Sequence, residues 1–265
     1  MKIVVCIKQV PDTTEVRLDP KTNTLIREGV PSIINPDDKA GIEAALELRD
    51  QVAGSRVTVL CMGPPQADVA LREALAMGCD QAVLVSGREF GGSDTYATAT
   101  IIGAALKKLG YDLIITGRQA IDGDTAQVGP QIAEQLGVPQ VSYAEEIRVE
   151  EGGEFLIVKR QYEDRCHTIR VKTPCLLTAL SELAKPRYMT VRGIVEACEE
   201  EIKILGFEDL KDRLNPDHIG LKGSPTNVLK SFTKSPKGQG SKLLGLSAEE
   251  AAAAIVAKLD EKNLI

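Results

Sequence analysis

Four short apolar runs divide the first 117 residues of the chain: KIVVCIK (2–8), RVTVLCMG (56–63), QAVLVSG (81–87) and DLIITG (112–117). Uninterrupted runs of Val, Ile and Leu are typical of strands that are buried on both faces. The segments between them have helical patterns with an Asp or Pro near the start and a Gly at the end: DDKAGIEAALELRDQVAG, PQADVALREALAMG and SDTYATATIIGAALKKLG. This alternation predicts an α/β fold with a doubly wound, mostly parallel sheet.

The pattern changes after this part of the chain. Residues 143–174 alternate polar and apolar positions about a Gly-Gly turn, which predicts an antiparallel hairpin at a sheet edge. CLLTAL (175–180) is predicted to return as a core strand, and VRGIVEACEEE to form a helix. Residues 205–246 are rich in Pro, Gly, Ser and Lys, and the amphipathic sequence SAEEAAAAIVAKLDEKNL follows. We therefore expect a nucleotide-binding type of α/β domain at 1–204 and an extended C-terminal arm at 205–265, either lying on another surface or forming a loose tail.

Composition excludes several classes of function. The chain has 265 residues, 43% of them hydrophobic, and a formal net charge of −6, which disfavours nucleic-acid binding. No run of about 18 apolar residues is present, so no membrane span is expected, and the N-terminus is predicted to be a buried strand of a cytoplasmic protein. The six cysteines form no C-x-x-C pair and there are two histidines, so we predict no metal site and no catalytic side chain. Most of the cysteines are expected to be reduced, buried thiols.

The stretch GRQAIDGDTAQVGPQIAEQLGVPQ (117–140) marks the passage from the last of the four strands to a helix. Asp124 and Gln127 match a capping box with Asp124 as N-cap, and the helix is expected to begin between Asp124 and Gly129. The free N–H groups of such a helix start bind anions, and Gly123 permits close backbone approach. The loops INPDDKAG (34–41) and FGGSDTYAT (90–98) are predicted at the same sheet edge. These residues could serve as caps and turns alone or could cradle a phosphate.

The order of CIKQVPD, NPDD, MGPP, ALAMGCD, GRQAIDGDTAQVGP, KPRYMTVRGI and GSPTNV resembles the β subunit of electron transfer flavoproteins over essentially the whole chain. In that family the β subunit pairs with an α subunit that carries FAD, and it binds an adenine nucleotide through strand-end loops. The resemblance places the nucleotide contacts at Cys6, Asn35, Pro36, Asp37, Asp38, Met62, Ala120, Ile121, Asp122, Gly123, Asp124, Thr125, Ala126, Gln127, Val128, Gly129, Pro130 and Gln131.

The family has two branches, one whose β subunit holds AMP and one whose β subunit holds a second FAD and bifurcates electrons. Gly123 stands where the AMP branch has an Asp, and Thr125 and Ala126 replace a Cys-Asn pair. The FGGSDT loop is similar to the bifurcating branch, which implies that NADH is received near Phe90, Gly91, Gly92, Ser93, Asp94 and Thr95. The resemblance then implies that NADH delivers a hydride to the FAD of this chain. One electron passes to the α-subunit FAD and a dehydrogenase, and the other to ferredoxin. A conventional AMP-binding carrier and a stand-alone nucleotide-binding regulatory module are the alternatives.

Partner contacts follow from the same resemblance. Residues 184–201 resemble the segment that docks onto a flavin-dependent dehydrogenase, with Val191 as apolar anchor and Met189 and Ile194 beside it. Many family members have lysines after the anchor, whereas this chain has VEACEEEIK. The partner is expected to be a flavin-dependent dehydrogenase of acyl-CoA or lactate type. The acidic run implies a docking surface different from that of an ordinary acyl-CoA dehydrogenase, which leaves a lactate dehydrogenase as the alternative, or it is simply a solvated helix face. The arm is expected to contact the α subunit through Ser224, Pro225, Thr226 and the helix that begins near Ser247.

Overall fold

The computed structural model describes residues 1–12, 31–150, 152–226 and 242–265. Its strands are β1 (Lys2–Ile7), β2 (Gln9–Pro11), β3 (Ser32–Ile34), β4 (Arg56–Met62), β5 (Gln81–Val85), β6 (Leu113–Gly117), β7 (Gln140–Val149), β8 (Phe155–Gln161), β9 (Cys166–Lys172), β10 (Cys175–Ala179) and β11 (Lys203–Leu205). Its α-helices are α1 (Pro36–Gln51), α2 (Asp68–Met77), α3 (Thr95–Leu109), α4 (Val128–Leu136), α5 (Val191–Glu199), α6 (Phe207–Leu210) and α7 (Ala248–Glu261). The chain divides into two compact units, Met1–Val228 and Leu229–Ile265.

The main sheet has nine strands in the order β11-β5-β4-β1-β6-β10-β7-β8-β9. The strands from β11 to β7 are parallel, and β7, β8 and β9 pair antiparallel. The predicted mostly parallel sheet with an antiparallel edge is therefore confirmed, and the edge carries one strand beyond a simple hairpin. Gly152 and Gly153, with φ of 93° and 74°, form the turn between β7 and β8, where a Cβ would be strained. Strands β2 and β3 form a separate small antiparallel sheet.

Helices cover both faces of the sheet because alternate residues of each central strand point to opposite sides. Ile3 and Val5 of β1 belong to the core beneath α1 and α2, whereas Val4 and Cys6 belong to the core beneath α3 and α4. Strands buried on both sides require apolar residues at every position, which explains the uninterrupted runs. The predicted doubly wound arrangement is confirmed.

The order of the strands creates a crevice at one end of the sheet. From β1 the chain proceeds outward on one side through β4 and β5, and it then returns to the other side of β1 with β6. The loops that follow β1 and β6 consequently diverge to opposite faces of the sheet. In doubly wound folds, this topological switch point is the ligand-binding position.

The second unit contains α7, which has the predicted helical character. A capping box closes its start: Ser247 Oγ accepts the Glu250 N–H at 3.2 Å, and a Glu250 carboxylate oxygen accepts the Ser247 N–H at 2.8 Å. Part of the predicted arm, residues 227–241, lies outside the described residues. Among the helices of the described ranges, none is long and apolar enough to cross a membrane. Cys6, Cys61, Cys79 and Cys175 are buried, as expected for structural thiols, while Cys166 and Cys198 are exposed.

Candidate functional site

A crevice of about 960 Å³ lies beyond the carboxyl ends of β1, β4, β5 and β6. This volume is at the upper end of the range for small-molecule and cofactor pockets. The predicted site residues that line it are Cys6, Asp38, Met62, Phe90, Gly91, Gly92, Ser93, Asp94, Thr95, Ala120, Gly123, Asp124, Thr125, Ala126, Gln127, Val128 and Gly129. Seven predicted residues stand outside its wall: Asn35, Pro36, Asp37, Ile121, Asp122, Pro130 and Gln131. The three strand-end loops thus converge on one crevice.

The turn before α4 differs from the sequence-based prediction. Helix α4 begins at Val128 with Gln127 as N-cap, and no side chain caps it. Asp124 has a φ of 53°, outside the extended conformation of an N-cap, and its carboxylate instead accepts a hydrogen bond from the Gln119 side-chain amide. The predicted capping box of Asp124 and Gln127 is therefore wrong, because the chain makes a further turn before the helix starts.

The turn that precedes α4, at residues 123–127, presents several backbone N–H donors. Asp124 and Ala126 have positive φ values of 53° and 52°, and the following Gln127 is right-handed with a φ of −105°. Alternation of this kind directs successive N–H groups to one side and forms an anion-binding concavity. Within the described parts of the chain, the N–H groups of Thr125, Ala126, Val128 and Gly129 have no acceptor. Together with the positive end of the α4 dipole, they fit a phosphate group.

Two glycines shape the turn in different ways. A Cβ on Gly129 would stand 2.6 Å from Thr116 Oγ1 and 2.8 Å from Thr178 Cγ2, so only glycine lets the start of α4 approach β6 and β10 this closely. A Cβ on Gly123 would meet nothing within 4 Å. Gly123 therefore leaves open space at the crevice wall where a larger residue would project.

Asn35 and Asp38 stabilise the loops around the crevice through side-chain hydrogen bonds to backbone groups. Asn35 is buried; its Nδ2 donates to Gln119 O at 2.8 Å and its Oδ1 accepts the Ile121 N–H at 3.1 Å. Asp38 accepts the N–H of Lys8 at 2.7 Å and the N–H of Gly117 at 2.8 Å. Burial raises the pKa of Asp38 to about 7, although both N–H donors oppose the shift. These side chains join the ends of β1 and β6 to the following turn.

Sequence reasoning missed two basic residues that line the crevice, Lys8 and Arg118. Lys8 Nζ bonds Asp122 Oδ1 at 2.6 Å, and Arg118 Nε lies 3.6 Å from Asp37 Oδ2. Lys8 and Arg118 each follow directly after a central strand, and this position is the local feature from which they could have been predicted. Their acidic partners lie far away in the sequence, 114 residues from Lys8 in one case. Each basic residue thus stands at the crevice beside a carboxylate that balances its charge.

The loop at 90–95 forms the facing wall and is held by residues 224–226 of the predicted arm. Asp94 caps α3 by accepting the Ala97 N–H at 3.0 Å, and it also accepts the Thr226 N–H at 2.9 Å. Although burial acts against it, these donors lower the pKa of Asp94. Ser224 Oγ accepts the Asp94 N–H at 2.8 Å. Thr95 Oγ1 donates to Gln127 Oε1 at 3.0 Å and so links the two walls.

The predicted partner-binding residues fall into two groups. Ser224 is buried within this chain against the 90–95 loop, while Pro225 and Thr226 are exposed. Met189, Val191 and Ile194 are exposed, and Val191 is 81% accessible. Tyr188 and Val195 are exposed as well, and we call these five residues the docking surface after the role that the sequence predicts for this segment. Large apolar side chains gathered on a surface mark an interaction site.

Comparison with known proteins gives the family. The profile of the electron transfer flavoprotein domain matches residues 22–209. The chain is similar along 100% of both lengths to the electron transfer flavoprotein subunit beta of Clostridium acetobutylicum, at 56% identity. It is likewise similar, along 100% of both lengths, to the caffeyl-CoA reductase-Etf complex subunit CarD of Acetobacterium woodii, at 53%, and to the acryloyl-CoA reductase electron transfer subunit gamma of Anaerotignum propionicum, at 52%. The crevice at the switch point, the domain match and these full-length similarities together show that the chain belongs to the electron transfer flavoprotein β-subunit family.

Proposed function

We propose that the crevice binds FAD, accepts electrons from NADH and divides them between the α-subunit flavin with its dehydrogenase and ferredoxin. The observation that carries the proposal is the turn at 123–129, which lines a crevice of about 960 Å³ and has several N–H groups without an acceptor among the described residues. Bound FAD would supply the hydride and single-electron chemistry. The chain supplies position, charge and exclusion of water.

The turn at 123–129 would hold the pyrophosphate part of the cofactor. Its N–H groups are already oriented by the positive φ of Asp124 and Ala126, so binding requires little reorganisation. Lys8 and Arg118 line the crevice as further N–H donors, each beside its carboxylate partner. The open space beside Gly123 supports a ligand that approaches the backbone closely. Nothing in this donor set requires a side chain to take up or release a proton.

The facing loop at 90–95 would receive NADH. It lines the same crevice, and the hydrogen bond between Thr95 and Gln127 connects it to the turn at 123–129, which we call the phosphate turn. Gly91 and Gly92 line this wall, with Leu221 packed 3.0 Å from the position of a Cβ on Gly92, and Asp94 fixes the start of α3. Donor and cofactor would then share one crevice, which shortens the path for hydride transfer. Since NADH and ferredoxin are redox partners of the cytoplasm, the proposal places the chain there.

Electrons would leave through protein partners. The docking surface supports contact with a flavin-dependent dehydrogenase, since its apolar side chains are exposed and acidic residues 196 and 199–201 follow them. A partner with an apolar pocket and a basic rim would complement it. Relatives at more than 50% identity are named as subunits of acyl-CoA reductase complexes, which favours a partner of the acyl-CoA type over the lactate type. Helix α7 and the arm would contact the α subunit.

Flavin stoichiometry tests the cofactor. The chain is co-produced with its α subunit, reconstituted with FAD, and assayed for flavin and AMP per heterodimer. We expect two FAD, of which one is bleached by stoichiometric NADH. One FAD and one AMP would leave an AMP-binding electron carrier, and a chain without partner or flavin would indicate a separate nucleotide-binding module.

Coupling tests the division of electrons. NADH-dependent ferredoxin reduction is measured with and without the dehydrogenase and its oxidised substrate. Because the two electrons of one hydride must go to two acceptors, we expect ferredoxin reduction only when both acceptors are present. Ferredoxin reduction that proceeds equally without the second acceptor would contradict bifurcation while leaving FAD binding intact.

A further inference from the structure

Helix α5 carries three of the five residues of the docking surface but has little apolar packing of its own. Of its nine residues only Ala197 is buried, and Val191, Ile194 and Val195 are all exposed. Isolated helices of this length are unstable in water. Burial of one small side chain cannot by itself define where such a helix lies. Polar contacts must therefore contribute much of its placement.

Arg72 of α2 provides the strongest of these contacts. Its Nη1 donates to the carbonyl oxygens of Ala197 at 2.6 Å, Cys198 at 3.1 Å and Glu200 at 3.2 Å. These carbonyls are at the carboxyl end of α5, where the helix leaves acceptors unsatisfied and its dipole is negative. Asp68, one turn earlier on α2, accepts from Arg72 Nε at 2.8 Å and fixes the guanidinium. One cation thus anchors the end of the helix to the main domain.

The other end of the segment is fixed as well. A Cβ on Gly193 would stand 2.7 Å from the carbonyl oxygen of Ala76, so α5 approaches the backbone of α2 directly. Just before the helix, Arg187 pairs with the buried carboxylate of Glu43, with Nη2 to Oε1 at 2.8 Å. The apolar residues of the docking surface lie between the Arg187 and Arg72 contacts. Such fixation reduces the entropy lost when a partner binds.

We propose that Arg72 is a positioning residue for partner docking: it touches no partner itself but holds α5 so that Val191 and Ile194 present a preformed surface. The inference rests on the proposed docking role of this surface. Arg72 is part of neither the crevice wall nor the docking surface. Its replacement should therefore separate docking from the reaction with NADH.

The test uses the reconstituted heterodimer and a purified flavin-dependent acyl-CoA dehydrogenase as the electron acceptor. Arg72→Gln removes the charge. Arg72→Lys keeps the charge but lacks the planar guanidinium that donates to Asp68 and to the α5 carbonyls at the same time. Arg148→Gln is the matched control, since it removes an exposed arginine that pairs with Glu146 at 2.6 Å on the antiparallel edge. Val191→Asp reports whether the docking surface is used at all. Amide hydrogen exchange of residues 191–200 reports the order of α5.

We expect Arg72→Gln to raise the KM for the dehydrogenase roughly five- to tenfold, equivalent to about one ordinary hydrogen bond, with kcat within twofold. In Arg72→Gln, flavin reduction by NADH should be unchanged, and the amides of α5 should exchange faster than in the wild type. The KM and the exchange rate of Arg72→Lys should lie between those of the wild type and Arg72→Gln. If Val191→Asp raises KM but Arg72→Gln does not, docking stands and the positioning role is wrong. If neither variant changes KM, docking at this surface is wrong, and the inference falls with it.

Discussion

Asp38 shows how one buried carboxylate can organise a site without contributing chemistry. It joins the N–H of Lys8 after β1 to the N–H of Gly117 at the end of β6, at 2.7 and 2.8 Å. Two acceptor oxygens are needed for these two donors. A carboxylate provides both, whereas an amide of the same shape provides only one.

This burial predicts a pH-dependent contribution to stability. The pKa of Asp38 rises from 3.8 to about 7 in the folded chain, so the folded state holds the proton more tightly than the unfolded state. Its contribution is fully present below about pH 3.8 and is lost as the pH rises through about 7. Asp38→Asn should therefore make the free energy of unfolding fall less steeply between pH 4 and 7. It should also lower that free energy by about 1–3 kcal/mol at low pH, since one N–H donor loses its acceptor.

Urea denaturation at several pH values measures both effects. The difference between wild type and Asp38→Asn removes the contributions of the other carboxylates. Asp217→Asn, on an exposed position, serves as control and should leave the profile unchanged. A constant difference across pH 4–7 would mean that Asp38 is ionised throughout.

Gly123 is predicted to determine which nucleotide fits. Since a Cβ there meets nothing within 4 Å, Gly123→Asp should fold normally yet place a carboxylate at the phosphate turn. We expect the FAD content of this subunit to fall at least tenfold through repulsion of the pyrophosphate. Gly123→Ala is the control and should retain FAD. Equal flavin content in the two variants would exclude a charge effect at this position.

At the scale of elements, the start of α4 depends on its close packing against β6 and β10. Gly129→Ala would force Thr116 and Thr178 aside, which we expect to cost about 1–3 kcal/mol of stability and to weaken FAD binding by moving the donors. Gly103→Ala in α3 is the control, because its Cβ would meet only ordinary contacts at 3.7 Å and beyond. That variant should be neutral or stabilising by up to about 1 kcal/mol. Urea denaturation and flavin titration of both variants measure the contrast.

The elements that were predicted correctly are those with strong local signals. The central strands are uniformly apolar, and α3 begins at its Asp94 cap and is followed by Gly110, as its sequence indicates. Strand β11 was missed because three residues carry no periodicity, and β2 and β3 were missed because their pairing joins separate parts of the sequence. Local pattern predicts an element only when the element is long enough to display it.

The location of the crevice was predictable from the sequence, but its detail was not. Strand-end loops at a switch point identify the crevice from sequence. The capping box failed because Asp124 and Gln127 have the right spacing but Asp124 adopts a positive φ, which the local sequence does not reveal. Lys8 and Arg118 were missed because their partners are set by tertiary structure.

At the scale of the whole molecule, ligand binding should stabilise the fold. If FAD binds the folded state alone, a concentration 100 times its Kd adds about 2.7 kcal/mol to the free energy of unfolding. The thermal midpoint of the heterodimer should rise with FAD, and riboflavin, which lacks the pyrophosphate, should raise it less. Gly123→Asp should reduce the FAD effect. An equal rise with riboflavin would contradict the role of the phosphate turn.

The hydrogen bonds that Asp38 accepts from Lys8 and Gly117 also have a consequence for folding during synthesis. It connects residues 79 positions apart, and the packing of Gly129 against Thr178 requires β10 to be in place. On a ribosome, the chain must emerge beyond residue 179 before both walls of the crevice exist. Such long-range closure is slow compared with helix formation. If the crevice holds a cofactor as proposed, its loading would therefore follow synthesis of the central strands rather than accompany it.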